Sequence, residues 1–110
     1  MKSYSVLASV ACLLTAAVAA HADAPDTWAK NCASCHGADG AGHTKAGRLL
    51  HAKDLTDAAY LKTFSDDQAF KAVKEGFKDA DGKDKMKPFS DKLSDDEIKT
   101  LVAYVRTLAK

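Results

Sequence analysis

Two cysteines with two residues between them, followed directly by a histidine, form the stretch best suited to chemistry: Cys32-Ala33-Ser34-Cys35-His36. On a helical turn, residues three positions apart share a face, so each thiol can bond to one of two neighbouring vinyl groups of a porphyrin. His36 would then lie under the iron, where its imidazole can serve as an axial ligand. This spacing is the attachment signature of a c-type haem, and we expect one covalent haem c on Cys32 and Cys35.

Other uses of a Cys-x-x-Cys pair fit this sequence less well. A thioredoxin-like redox pair normally lies in a βαβ unit, and the sequence has no strand pattern. A closed structural zinc site needs four ligands, usually including a second pair of Cys or His residues. His43 and His51 could supply that pair only in an unusual arrangement.

Residues 1–22 have the features of a secretory signal peptide. Lys2 provides a positive start, residues 6–20 are almost wholly apolar, and an A-x-A cleavage signal ends at Ala22. The apolar run is shorter than the roughly 20 residues that span a bilayer. We therefore expect cleavage near Ala22, export to the periplasm and no stable membrane insertion. A lipoprotein anchored at Cys12 is a weaker alternative, because the apolar run continues past that cysteine.

The remaining residues, 23–110, are expected to form a single small domain. A chain this short seldom builds a core worth more than about 3–5 kcal/mol unaided, so a large apolar haem would add needed surface. Cys12 would leave with the signal peptide, so no structural disulfide is expected. The whole chain has 16 Lys and Arg against 15 Asp and Glu. This balance argues against a nucleic-acid partner.

The first half of the domain is predicted to contain two helices separated by a loop. Residues 24–36 favour a helix, with Pro25 in its first turn. Residues 37–54 contain four glycines and are expected to form a loop. Residues 56–62 favour a short second helix with Thr56 as its N-cap.

The second half has two stronger helix signals. A capping box from Ser65 to Gln68 predicts a third helix over residues 66–75. A second capping box, from Ser94 to Glu97, opens the last helix, and the charged residues 77–93 between them are expected to form a loop. The apolar stripe of the last helix consists of Ile98, Leu101, Val102, Val105 and Leu108.

Met86 is the only methionine outside residues 1–22. A lone methionine is usually core filler, but burial alone explains poorly why Met86 lies in a hydrophilic loop. Its thioether could bind iron opposite His36. Six-coordinate iron would leave no open site for substrate, so we expect electron exchange and no enzymatic activity. Alternatives are a bis-His carrier using His43 or His51, and a haem enzyme or gas sensor with a labile Met86.

The remaining candidate residues would surround the haem. The interleaved Lys and Asp residues of 77–93 are either a solvated surface or a rim on which a partner docks. The apolar side chains expected to pack in the haem pocket are Leu50, Leu55, Phe70, Val73, Phe89 and Leu101, with Leu49 a further haem-facing candidate.

Taken together, these motifs make residues 23–110 resemble the class I cytochromes c, especially the small bacterial single-haem and c6-like carriers. The resemblance implies an all-α cytochrome c fold of about four short helices, with the first and last crossing, and His36/Met86 ligation. It also implies a soluble, exported electron carrier. We expect a monomer whose partner is a redox protein: an oxidase, a reductase or a dehydrogenase. The segments that carry it are CASCH, KMKPF at 85–89 and LVAYVRTL at 101–108.

The resemblance also extends to single positions. In the family, an aromatic residue four positions before the first cysteine meets the last helix, and Trp28, Leu101 and Tyr104 match those positions. Many members have proline directly after the ligand methionine, whereas Lys87 stands there in this chain. Many also have a Gly-Pro whose proline carbonyl accepts from the ligand histidine; residues 46–48 lack proline. We still expect an acceptor for the His36 ring.

Overall fold

The computed structural model describes residues 23–110. The predicted signal peptide, its cleavage near Ala22 and the lipoprotein alternative at Cys12 lie outside the described residues. The described chain is mostly helical, with one small antiparallel sheet, which confirms the all-α class. Its elements in order are α1 (Ala24–Asn31), α2 (Ala33–His36), α3 (Lys45–Leu50), α4 (Ala58–Leu61), α5 (Asp66–Glu75), β1 (Phe77–Lys78), β2 (Asp84–Met86) and α6 (Asp95–Arg106).

Helices α1 and α2 together occupy the range predicted as one helix, but the structure interrupts it at Cys32. Cys32 has a φ of −117° and a ψ of −35°, and this φ departs widely from the helical value of about −63°. Its N–H still donates to the Trp28 carbonyl at 2.8 Å, and the His36 N–H donates to the Cys32 carbonyl at 2.9 Å. The cysteines and the histidine therefore lie on a turn that continues the first helix.

The prediction of an uninterrupted loop over 37–54 is wrong, because helix α3 lies within it. Thr44 caps this helix: its Oγ1 accepts from the Gly47 N–H at 2.8 Å. A Cβ on Gly47 would collide with the carbonyl oxygen of Cys35. The glycine that we interpreted as a helix breaker is therefore what allows α3 to pack closely on α2.

Helix α4 has a different cap from the one predicted. Asp57, and not Thr56, is the N-cap, and its Oδ1 accepts from the Ala59 N–H at 3.0 Å. Thr56 instead donates its hydroxyl to Oδ1 of Asp54 at 2.6 Å. The helix is consequently shorter than the predicted 56–62.

The two capping boxes are confirmed. Gln68 N–H donates to Ser65 Oγ at 3.1 Å, and the Ser65 N–H donates to the Gln68 side chain at 2.8 Å. The same exchange joins Ser94 and Glu97 at the start of α6. Helix α5 occupies residues 66–75 as predicted, because its start signal is contained within four consecutive residues.

Helices α5 and α6 lie antiparallel, tied at both ends by charged groups. Arg106 at the end of α6 pairs with Asp66 at the start of α5, with an Nε–Oδ1 distance of 2.9 Å. The Arg106 guanidinium also lies 4.7 Å from the centre of the Phe64 ring. At the other end, Lys74 Nζ lies 3.1 Å from Asp95 Oδ1.

The prediction that residues 77–93 form only a loop is also wrong. Strands β1 and β2 form an antiparallel hairpin with a register shift between Phe77 and Lys78. The turn is built by Asp79, whose Oδ1 accepts from the N–H groups of Asp81 and Lys83, each at 2.9 Å. Strands of two and three residues are too short to show the alternation by which a strand is predicted.

The hydrophobic core lies where the first and last helices pack together. Trp28 of α1 contacts Tyr104 of α6, with ring centroids 5.6 Å apart. This confirms the predicted contact between the terminal helices. The buried core residues are Trp28, Cys32, Leu93, Ile98, Leu101 and Val102.

Candidate haem-binding site

The two cysteines of the motif are free thiols in different environments. Cys32 is buried in the core and Cys35 is half-buried. Burial, together with the nearby Cys35, raises the pKa of the Cys32 thiol to about 11. Since the thiolate is the nucleophile in disulfide exchange, Cys32 is poorly suited to a thioredoxin-like reaction at neutral pH.

His36 ends helix α2, and its ring is half-buried. Burial lowers the pKa of His36, which favours the neutral imidazole that binds metals. Its Nδ1 is buried and has no hydrogen-bond partner among residues 23–110. The acceptor that we expected for this ring is therefore not found at Nδ1. A buried polar atom left unpaired costs about 1–3 kcal/mol, so this site fits a group that the chain itself does not supply.

A hydrogen bond from Thr44 fixes the backbone of the motif. The Thr44 hydroxyl donates to the Cys35 carbonyl at 2.8 Å while accepting from the Gly47 N–H. One side chain thus joins helix α3 to the motif helix. Sequence reasoning missed this residue, although Thr44 before a run of helix-forming residues is itself an N-cap signal.

Met86 ends strand β2, where its side chain is half-buried and its backbone pairs with Phe77. Two features hold this segment against α5. The Phe89 N–H donates to the Val73 carbonyl at 3.0 Å. At Gly76, where φ is +79°, a Cβ would lie 2.6 Å from the Met86 carbonyl oxygen. Met86 therefore has a well-defined backbone position, and its role as a ligand stays a prediction.

The predicted pocket residues divide into three groups. Leu101 is buried in the core. Leu50 is half-buried outside the core cluster, and Leu49 is 70% exposed. The third group is partly buried and packs against the core; it consists of Leu55, Phe70, Val73 and Phe89.

A metal site made from the chain's own side chains finds no support. Within residues 23–110, no three His, Cys, Asp or Glu side chains are grouped so that they could hold a metal ion. His43 and His51 therefore do not complete a zinc site with Cys32 and Cys35.

A cytochrome c family model matches residues 22–109. The chain belongs to the cytochrome c family. This is the family to which the motifs pointed, and its cytochrome c fold and haem-based electron transfer are now established for the chain. Membership also implies a covalently bound haem c. A search of curated proteins finds no match.

Solved structures agree with this assignment. The KustC0563 c-type cytochrome is 33% identical, with a TM-score of 0.70 over 80% of this chain and 99% of that one. A tyrosine-to-phenylalanine mutant of that cytochrome is 32% identical, with a TM-score of 0.67 over 78% of this chain and 98% of that one. Cytochrome CL from the marine methylotroph Methylophaga aminisulfidivorans is 23% identical, with a TM-score of 0.61 over 88% of this chain and 58% of that one. The last shows the fold alone.

The residues present fit a covalent haem c. Cys32 and Cys35 are unpaired thiols on one helical turn. Burial lowers the pKa of the adjacent His36, and the ring carries a buried nitrogen without a partner among residues 23–110. Apolar side chains from α5 and from the segment after Met86 lie partly buried against the same core as Cys32.

In the part of the chain that the structure describes, no helix is long and apolar enough to cross a membrane.

Proposed function

We propose that this cytochrome c is a soluble periplasmic electron carrier with one haem, ligated by His36 and Met86. The observation that carries the proposal is the placement of a Cys-x-x-Cys-His motif on one turn that enters the core at Cys32, together with Met86, the only methionine of residues 23–110, on an anchored hairpin. Residues 1–22 would act as the signal peptide, cleaved near Ala22. Residues 23–110 would form the cytochrome domain.

The chain's residues would each have a distinct role in this carrier. Cys32 and Cys35 hold the haem covalently, and the core keeps the first of them out of water. His36 would bind the haem iron through its imidazole, and Met86 would bind it through its thioether. When bound, the haem supplies one-electron exchange between ferric and ferrous iron. Two protein ligands leave no open coordination position, so we propose no enzymatic activity.

Methionine ligation can be tested directly in the ferric protein. We expect a methionine–iron charge-transfer band in the red, a low-spin spectrum and no ready binding of carbon monoxide in the ferrous form. Met86→Ala should abolish the band and lower the reduction potential, because a thioether ligand raises it. A high-spin wild-type protein that binds carbon monoxide would instead support a haem enzyme or gas sensor. An unchanged spectrum in Met86→Ala would support a bis-His carrier.

Redox proteins are the proposed partners, among them oxidases, reductases and dehydrogenases, and the protein is proposed to act as a monomer. The hairpin carrying Met86 is the proposed docking surface. Lys78 pairs with Asp84 at 3.0 Å and Lys85 lies 3.7 Å from Asp79, so these lysines are partly neutralised. Lys83 and Lys87 are exposed and form no ion pair with residues 23–110. They would attract an acidic partner towards this rim.

A further inference from the structure

Trp28 lies between two aromatic rings in the core. Its side chain is only 4% exposed. Its ring centroid lies 5.6 Å from that of His36 and 5.6 Å from that of Tyr104. The contact with Tyr104 joins the terminal helices, whereas the contact with His36 reaches the haem-attachment motif. From the sequence we expected Trp28 only to meet the last helix.

The indole nitrogen gives Trp28 a second link to the motif. Its Nε1–H donates to the Gly37 carbonyl at 2.9 Å, in a buried environment. Gly37 directly follows His36 in the chain. The bond spans nine residues and so closes a ring around Cys32, Cys35 and His36, which phenylalanine at the same position could not do.

The backbone around His36 is held at two consecutive carbonyls. The Gly37 carbonyl also accepts from the Gly40 N–H at 3.2 Å, and the His36 carbonyl accepts from the Gly42 N–H at 2.7 Å. Gly37 has a φ of +84°, a value that glycine adopts without steric cost. Of these bonds, only the one from Trp28 comes from a side chain that also touches the His36 ring. Trp28 is thus placed to fix both the backbone and the ring plane of His36.

We propose that Trp28 is a positioning residue for the His36 imidazole, acting through its hydrogen bond to the Gly37 carbonyl and through its ring contact. The proposal rests on the proposed function, in which His36 binds the haem iron. Groups that orient a ligand imidazole tune the metal that it binds. The effect should therefore appear in the electronic structure of the iron as well as in stability.

The matched pair Trp28→Phe and Tyr104→Leu tests this proposal in the haem-loaded protein. Both variants remove contacts from the same aromatic cluster, but only the first removes the bond to Gly37. We expect the haem methyl proton shifts, the ferric electron paramagnetic resonance g values and the midpoint potential to change in Trp28→Phe. In Tyr104→Leu the free energy of unfolding should fall while all three stay at wild-type values. Unchanged values in Trp28→Phe, or equal changes in both variants, would overturn the proposal.

A second measurement needs no variant, because Trp28 is the only tryptophan in the chain. A ¹⁵N-labelled ferrous protein should show a single indole cross-peak whose N–H exchanges with solvent slowly, as expected for a buried hydrogen bond. Fast exchange would overturn the proposal even if Trp28→Phe does not fold. The optical spectrum of the wild-type protein separates failure of the proposed function from failure of the role of Trp28. If the spectrum is not that of a low-spin His/Met haem, the proposed function fails. If it is, then wild-type haem shifts, g values and midpoint potential in Trp28→Phe reject only the positioning role of Trp28.

Discussion

The Thr44 hydroxyl lies 2.8 Å from the Cys35 carbonyl oxygen, and this bond crosses from the N-cap of α3 to the turn that carries both cysteines. The Thr44 hydroxyl oxygen also accepts a hydrogen bond from the Gly47 N–H. Donation and acceptance through one hydroxyl lock α3 against the attachment turn. The close approach at Gly47, where no Cβ fits, completes this contact.

Replacing Thr44 by valine should destabilise the protein while preserving side-chain shape. The change removes the cap of α3 and leaves the Cys35 carbonyl without this donor. Loss of a threonine N-cap costs about 0.5–2 kcal/mol. Denaturant unfolding of the haem-loaded protein should therefore show a lower midpoint with an unchanged m-value. Thr44→Ser keeps the hydroxyl and serves as the control; equal losses in the two variants would show that the hydroxyl is not responsible.

The fold was predictable where its signals were local. The capping boxes that begin with Ser65 and Ser94 each occupy four residues, and the helices they announce begin at the expected positions. Helix α3 was missed because Gly47 has low intrinsic helix propensity. Its requirement for glycine comes from Cys35, twelve residues away, and helix propensity contains no information about such a contact.

In the candidate site, too, the features with local sequence signals were predictable, and those that depend on contacts between distant residues were not. Cys32, Cys35 and His36 were identifiable because their chemistry depends on adjacent positions, and they lie on one turn as expected. The hydrogen bond from Trp28 to Gly37 could not be predicted from the sequence, because an indole N–H has many possible acceptors and only the folded backbone selects one. The hairpin at Met86 was hidden for a different reason: its strands are brief and consist largely of charged residues.

Gly76→Ala should disturb the Met86 segment specifically. Gly76 has a φ of +79°, and an added Cβ would lie 2.6 Å from the Met86 carbonyl oxygen and 2.8 Å from the Pro88 nitrogen. Relieving this collision requires the backbone around Met86 to move. We expect a weaker red charge-transfer band in the ferric form of the variant. We also expect a lower reduction potential for its ferric/ferrous couple, and a spectroelectrochemical titration measures both.

Gly82→Ala is the matched control for that substitution. Gly82 has a similar positive φ, +77°, but no atom lies within 4 Å of the added Cβ. Both variants place a side chain at a positive φ, which costs about 1–3 kcal/mol, and only Gly76→Ala adds the collision. If Gly82→Ala weakened the band equally, the effect would come from hairpin strain and not from contact with the Met86 backbone.

Asp79 should make the stability of the hairpin depend on pH. The backbone N–H of Lys83, with smaller contributions from the Asp81 N–H and the Lys85 ammonium, lowers the pKa of the Asp79 carboxyl. The folded state therefore holds this proton more weakly than the unfolded state, whose value is about 3.9. Stabilisation by Asp79 is complete above that pH and is lost as the pH falls through the lower, folded-state pKa.

The test compares the wild-type protein with Asp79→Asn. The asparagine oxygen can still accept hydrogen bonds but carries no charge, so the variant should be less stable at neutral pH. Denaturant titrations between neutral pH and about pH 3 would give the free energy of unfolding of both proteins. The difference between the wild-type protein and Asp79→Asn should become smaller as the pH falls below about 4. A difference that stays constant over this range would show that the charge of Asp79 contributes nothing.

The exposed lysines of the hairpin should control the approach of anions to the haem. Lys83 and Lys87 form no ion pair within the described chain, unlike Lys78 and Lys85. Changing both to glutamine should slow oxidation of the ferrous protein by hexacyanoferrate(III) at low ionic strength. We expect a roughly two- to tenfold decrease, in the lower range of electrostatic steering, which salt should reduce because exposed charges are screened.

Lys30 and Lys99 provide a control with the same change in net charge. Both are exposed, on α1 and α6 respectively, and lie outside the hairpin. Stopped-flow rates for the Lys30→Gln/Lys99→Gln double variant should stay closer to the wild-type values at every salt concentration. If the two double variants slowed equally, the rate would follow the net charge of the whole protein, and the hairpin would have no special role in docking. A slower rate confined to the Lys83 and Lys87 variant would place the site of electron entry beside Met86, because a local field acts over about one Debye length, roughly 10 Å at 0.1 M salt.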